Sequence, residues 1–246
     1  MKLFVFIMGL LFGSFFNVII LRVPRKESII WPRSHCPHCQ TTLKWYELIP
    51  VLSFIFLKGK CRYCGYRISW QYPLVEVMTG LIYLLLYYHF GLTMVFLIYI
   101  ILISLLIISS VIDIREKIIP NVITFPGMVT GLISSIILKH IGFWNSLLGI
   151  LIPGIFLFII ALIFKGGLGM GDVKLVAMIG AFTGVRWALM ALFTGAFLGA
   201  ITGIILIVSG VLDRKKPVPF GPFISIGGLV SILWGYEIWI YIINLY

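Results

Sequence analysis

The sequence predicts an all-α fold: a polytopic membrane protein of about eight transmembrane helices carrying one small polar insert. Mean hydropathy is +1.13 and only 11% of residues are charged, far outside the range of soluble domains. Apolar runs long enough to cross a hydrocarbon core of about 30 Å recur along nearly the whole chain. Backbone groups in lipid must bond internally, and the period-two alternation of a membrane barrel is absent, so the runs are helices.

In order, the runs are residues 3–21, 74–90, 92–112, 122–138, 146–164, 173–186, 188–212 and 221–244, the sixth being short. Lys2 ahead of the first run imitates a signal peptide, but no small-residue cleavage site follows, so this run is expected to remain as a helix. Residues 1–22 thus form a first transmembrane helix, 23–73 a polar insert, and 74–246 a seven-helix core.

Cationic connections are retained on the cytoplasmic side. With the amino terminus outside, only Lys2, Lys139 and Arg186 of the 19 lysines and arginines fall on the outer side. The net charge of +11 is mostly this bias, so it is no argument for nucleic acid. A basic inner face suits anionic membrane lipids.

The insert holds all four cysteines, as CPHC at 36–39 and CRYC at 61–64, with 21 residues between Cys39 and Cys61. That spacing lies one residue beyond the usual window for a two-knuckle zinc site. Each CxxC turn presents two thiolates, and Cys36, Cys39, Cys61 and Cys64 together supply the tetrahedron that structural zinc takes. An insert this small buries little apolar surface, so a metal gives it a reason to fold. The competing readings are a redox pair of dithiols, CPHC being the type of tetrapeptide used by thiol oxidoreductases, or reduced thiols with His35 or His38 replacing one ligand. The absence of a βαβ pattern and a reducing cytoplasm weigh against the redox reading.

Of the eight acidic residues, five lie in loops, in the insert or near the outer end, and Glu76, Asp113 and Asp172 lie at or inside helix ends. An aspartate at the centre of a membrane helix costs about 2.5–3.5 kcal/mol on insertion scales and less near an interface, which marks such residues as functional candidates. Asp172, in GGLGMGDVK, also has the setting of a helix cap. Asp113, in VIDIREKIIP, stands at a helix end where the dipole disfavours negative charge, and pairing with Lys117 is its bland alternative. Both fall at the cytoplasmic ends of their runs, so they are able to meet. Two carboxylates facing one water, one as general base and the other protonated, are a hydrolytic device. By helix polarity alone, Asp172 is expected as the charged base. The glycines of 166–171 are expected to allow close approach and unusual backbone angles. Their GxGxG spacing is no nucleotide fingerprint, because no strand precedes it.

Gly180, Gly184, Gly195, Gly199 and Gly203 are expected to serve helix packing, and Trp144, Trp187, Tyr236 and Trp239 to anchor an interface. No Ser/His/Asp or HExxH arrangement is present.

The chain resembles the aspartic prepilin peptidases, or type IV leader peptidases, of the GxGD intramembrane aspartyl proteases. GSFFNVIILRVP at 13–24, CPHC, CRYCG, IPVLS at 49–53, YPLVEVMTG at 72–80, DIREKIIPN at 113–121, GMGDVKL at 169–175 and PFGPF at 219–223 carry the resemblance. It implies an enzyme of the bacterial cytoplasmic (inner) membrane that removes a short basic leader from type IV prepilins or secretion pseudopilins after a glycine, on the cytoplasmic side. It also implies N-methylation of the new amino terminus with S-adenosylmethionine, the methylation-associated region being the cysteine insert. Asp113 and Asp172 fall on the catalytic pair; Glu76, Gly169, Gly171 and Lys174 are candidates for substrate binding, and Asn17 and Arg22 for substrate, backbone or lipid phosphate. Gln40 departs from the pattern, standing where a glycine often follows the first cysteine pair. The readings from other classes are a proton-coupled transporter using the aspartates and a membrane thiol oxidoreductase.

Overall fold

The structure, a computed structural model, describes residues 1–163, 169–210 and 218–243, with side chains as far as Tyr241. Lys165, Gly166, Gly167 and residues 213–216, which the sequence reading invoked, lie outside the described residues. The elements are α1 (Lys2–Arg22), a 3-10 turn (Trp45–Leu48), α2 (Leu52–Phe56), α3 (Gln71–Phe90), α4 (Met94–Glu116), α5 (Asn121–Ile137), α6 (Phe143–Ile163), α7 (Met170–Val208) and α8 (Gly221–Ile243). Among the described residues there is no strand, only the isolated bridges His35–Thr42 and Lys60–Arg67.

Among the described residues, six helices are long and apolar enough to cross a membrane: α1, α3, α4, α6, α7 and α8. α5 is apolar but shorter, at 17 residues. The sixth apolar run and the seventh as far as Val208 lie within α7, whose 39 residues would extend about 58 Å if straight, nearly twice a hydrocarbon core. The helix breaks at Gly184, with φ 81° and ψ 178°, a conformation open essentially to glycine. This is the boundary between two apolar runs, two residues before the sequence placed it.

Such a break strips the preceding carbonyls of their helical partners. Neighbouring side chains take their place: Ser146 Oγ donates to Ala181 O at 2.6 Å, and His140 Nε2 lies 3.1 Å from Phe182 O. The Val185 N–H turns to Asn145 Oδ1 at 3.4 Å. A side chain at Gly184 would strike Asn145, its Cβ falling 2.6 Å from Asn145 Nδ2.

The chain forms two compact units, Met1–Leu92 and Thr93–Tyr246. In the first, α1 packs on α3 at van der Waals distance between backbones, because Gly9 faces Gly80 and Gly13 faces Glu76 Cα. In the second, α7 is the hub, packed against α5, α6 and α8. Gly149 of α6 and Gly180 of α7 meet backbone to backbone, and Gly195 of α7 meets Ile224 of α8. Small residues allow this approach where lipid gives no hydrophobic drive to helix association. Gly180, Gly195 and Gly199 therefore pack as expected, Gly184 breaks the helix, and Gly203 has nothing within 4 Å. Fully buried side chains between these helices include Leu102, Leu106, Ile112, Leu175, Met178, Ile179, Phe182 and Ile224. Arg186 lies over the rings of Trp187 and Trp239 at 4.5 and 3.8 Å, which ties two of the expected anchors to one cation.

Candidate active site and metal centre

Within Thr93–Tyr246, the end of α4 and the starts of α5, α7 and α8 come together. α4 closes on Lys117 in the left-handed conformation (φ 55°), whose N–H returns to Asp113 O at 2.9 Å. Pro120 then opens α5. The Asp113 carboxylate is 6% exposed, and its Oδ2 accepts the N–H of Gly221, the first residue of α8, at 2.9 Å. Asp172 is 7% exposed, and its Oδ2 accepts the N–H of Gly169, just before α7, at 3.1 Å. Asp172 thus stands at the third helical position and reaches back to the cap residue; Gly169 has no side chain to return the bond. The two carboxylates interact electrostatically.

Helix polarity within its own helix set Asp113 apart from Asp172 in the sequence. Tertiary structure narrows the difference, because the start of α8 aims a backbone N–H at Asp113 much as the start of α7 does at Asp172. Gly221 lies 108 residues from Asp113, and PFGPF carried no assigned role. A glycine before a proline at the head of an apolar run was the available signal. Ile119 was missed too. Its side chain fills the space between Gly171 and Gly221: a Cβ would fall 2.9 Å from Ile119 Cβ at Gly171, and 3.1 Å from Ile119 Cδ1 at Gly221. Neither Gly169 nor Gly171 takes a positive φ; close approach, to Ile119, is made at Gly171, whereas a Cβ at Gly169 would meet only its own turn, with Asp172 Oδ2 at 3.3 Å.

Lys174 donates from Nζ to Asn121 Oδ1 at 2.7 Å and sits 5.7 Å from the Phe125 ring, which joins the starts of α5 and α7. Among the described residues the ion pairs are Arg62–Glu47 and Arg115–Glu116, so Lys117 does not neutralise Asp113 there.

Within Met1–Leu92, Cys36, Cys39, Cys61 and Cys64 bring all four sulfurs within 4.8 Å of one another. The pairs Cys36–Cys64 and Cys39–Cys61 stand 3.8 and 4.0 Å apart, close to the ~3.8 Å edge of a tetrahedron with metal–sulfur bonds of about 2.3 Å. Each knuckle is a turn closed by backbone bonds, Gln40 N–H to Cys36 O and Gly65 N–H to Cys61 O. Gln40 and Gly65 occupy the same left-handed position, with φ 57° and 70°. The Thr41 hydroxyl and backbone N–H hold the Cys39 thiol down at about 6. Against the bond from the Tyr66 backbone, burial and the neighbouring thiols push Cys64 up to about 12. Sulfurs this close share negative charge poorly without a cation, and a divalent ion supplies it. His35 bonds to Arg33 O and His38 stacks on Tyr66, so neither enters the cluster.

The remaining candidates serve this unit's own backbone. Glu76 is buried and accepts the Val51 N–H at 2.7 Å, together with a bond from Ser14, instead of snorkelling to water. Val51 itself takes φ 62°, strained for a β-branched residue, at the head of α2. Asn17 binds Gly13 O and Tyr72 O and accepts from Gln71. Arg22 holds Ser28 O and Pro32 O.

Comparison with known proteins agrees with both halves. The bacterial peptidase A24 N-terminal domain matches residues 7–90, and the type IV leader peptidase family matches residues 100–204. A prepilin leader peptidase/N-methyltransferase of Bacillus subtilis is 40% identical, over 94% of this chain and 93% of the relative. Proteins of the same description from Xanthomonas campestris and Pseudomonas aeruginosa are 34% and 32% identical, each over 94% of this chain and 90% of the relative. No solved structure matches the chain. The chain belongs to the type IV leader peptidase family.

Proposed function

We propose that this protein is a multi-pass aspartic endopeptidase of the bacterial cytoplasmic membrane that removes the short basic leader from type IV prepilins or pseudopilins and then N-methylates the new amino terminus. The observation that carries the peptidase reading is the buried pair Asp113 and Asp172, each held by a backbone N–H from a helix start, with Ile119 packed between Gly171 beside one and Gly221 beside the other. With one proton between them, the ionised carboxylate takes a proton from water as the water oxygen bonds to the scissile carbonyl carbon. The protonated carboxyl group donates to the carbonyl oxygen. Collapse of the tetrahedral adduct breaks the C–N bond, and the leaving amine takes up the proton.

Gly169, Gly171 and Lys174 lie beside Asp172 and are proposed to admit and orient the peptide around the cleavage point. Glu76 is proposed to act through the Val51 segment that it holds. The bias of Lys and Arg in the connections supports a cytoplasmic position for the dyad and for the insert. On this reading, residues 23–73 form the methylation-associated insert, and the helices from residue 74 onward form the peptidase core.

Zinc is the metal that the four-sulfur donor set fits, with Cys36, Cys39, Cys61 and Cys64 as ligands and a structural role. S-adenosylmethionine is proposed as the methyl donor, and the relatives' description as N-methyltransferases supports a donor of this class. One four-sulfur cluster, instead of two separate dithiols, leaves the thiol oxidoreductase without support.

Coexpression with a prepilin, followed by mass and amino-terminal sequence of the product, tests the reading. A leaderless product carrying one added methyl is expected. Unprocessed substrate beside a processed control overturns the peptidase, and a cleaved product without the methyl mass removes the second activity alone.

A further inference from the structure

A loop just beyond the end of α1 presents apolar side chains outward in a fixed shape. Ile30 and Trp31 are 74% and 67% exposed, with Ile29 beside them. Exposed apolar groups on a mobile loop would fold inward or cost little; here the backbone is pinned. The buried Arg22 guanidinium donates from one nitrogen to Ser28 O at 2.8 Å and from the other to Pro32 O at 2.6 Å, clamping the loop at both ends. Ser28 Oγ accepts the N–H groups of Ile30 and Trp31 at 3.2 and 3.3 Å. The Arg22 carbonyl takes the N–H groups of Arg25 and Glu27 at 3.1 and 3.0 Å, so the chain is also tied at the backbone.

The position of the clamp determines what the loop meets. Arg22 is the last residue of a helix long and apolar enough to span a bilayer, so a loop bonded to its side chain lies at the depth where that span leaves the hydrocarbon. At that depth Trp and aliphatic side chains gain by entering the headgroup–acyl boundary. Three exposed cations, Arg25, Lys26 and Arg33, flank the apolar tip against one acid, Glu27, a balance that complements anionic headgroups.

We propose that residues 28–33 are an interfacial anchor. Ile30 and Trp31 enter the boundary of an anionic bilayer, Arg25, Lys26 and Arg33 bind its headgroups, and the Arg22 clamp fixes how the cysteine insert is carried at the surface. Charge complementarity selects the lipid surface as occupant over a basic leader segment, which the same cations would repel. The inference needs only a chain that spans a membrane and does not depend on the peptidase reading.

The test uses the full chain in nanodiscs, with Trp31 emission isolated as the difference between the native chain and Trp31→Phe. In phosphatidylglycerol-rich discs, lipid brominated near the headgroup is expected to quench this component, and aqueous acrylamide to leave it largely untouched. Exchange to pure phosphatidylcholine, or joint replacement of Arg25, Lys26 and Arg33 by Gln, is expected to lower the lipid quenching and raise that by acrylamide. Arg22→Lys keeps the cation but loses the two-point fork, and is expected to free Trp31 to acrylamide while metal content and helical circular dichroism stay native. Quenching by acrylamide alone overturns the anchor. Protection from both quenchers also overturns it, because Trp31 is then covered by protein. Quenching indifferent to headgroup charge overturns the anionic specificity, and an Arg22→Lys chain that behaves as native overturns the clamp.

Discussion

The two compact units hold themselves together by different means. Thr93–Tyr246 relies on close packing of apolar helices, with glycines at the contacts. Met1–Leu92 has one helix pair packed in that way, and its remaining fifty or so residues are held by point ties. These are four cysteines around a common centre, Arg22 on two carbonyls, Glu76 on the Val51 N–H, and Glu47 on Lys44 N and Tyr63. A segment with little apolar burial replaces core with cross-links, each fixing a particular stretch of backbone. A packed bundle instead spreads its stability over many contacts.

This contrast breaks most sharply at the dyad. Asp113→Asn and Asp172→Asn are each expected to lower the cleavage rate about 100- to 10,000-fold or more, with helix content and bound metal unchanged. Retained cleavage in either variant removes that residue from the catalytic pair. The opposite experiment strips metal with a strong chelator or pairs Cys36→Ser with Cys61→Ser. About one zinc per chain should be lost, and hydrogen exchange should rise across residues 33–68 while amides of α4 to α8 keep their protection. If protection falls equally in both units, their means of stabilisation are not separate.

Finer changes sharpen the comparison. Gly221→Ala puts a Cβ 2.8 Å from Asp113 Oδ2 and should cost cleavage about 100-fold through misplacement, with little change in thermal stability. Gly180→Ala forces apart two helix backbones in direct contact and should destabilise the second unit by about 1–3 kcal/mol, read as a lower Tm in detergent. Glu76→Gln keeps an oxygen for the Val51 N–H and is expected to cost no more than about 1 kcal/mol, whereas Glu76→Leu leaves that N–H unpaired and should cost more. Equal effects of Gln and Leu would show that the bond does not hold the segment.

Much of this was legible in the residues because membranes make errors expensive. An acidic residue in an apolar run costs enough to stand out, which singled out Asp113, Asp172 and Glu76 before any contact was known. Thiol pairs at knuckle spacing announce one shared centre, because a tetrahedral ion needs both. Hydropathy misplaced the break in α7 by two residues, since composition is equally apolar on both sides of Gly184 and the break depends on Asn145 and Ser146 from the first turn of α6 and His140 from the connection before it.

The sequence alone determined the helical class, the polar insert, the cysteine set and the two aspartates, because each follows from composition or from spacing along the chain. Tertiary structure decided who serves whom. Gly221, 108 residues away, brings a helix start to the carboxylate that its own helix would leave in an unfavourable field. Ile119 explains why residues 171 and 221 must lack side chains. Glu76, a candidate for substrate binding, closes a backbone bond at Val51. In each case the partner is distant in sequence, and only packing brings the two groups into contact.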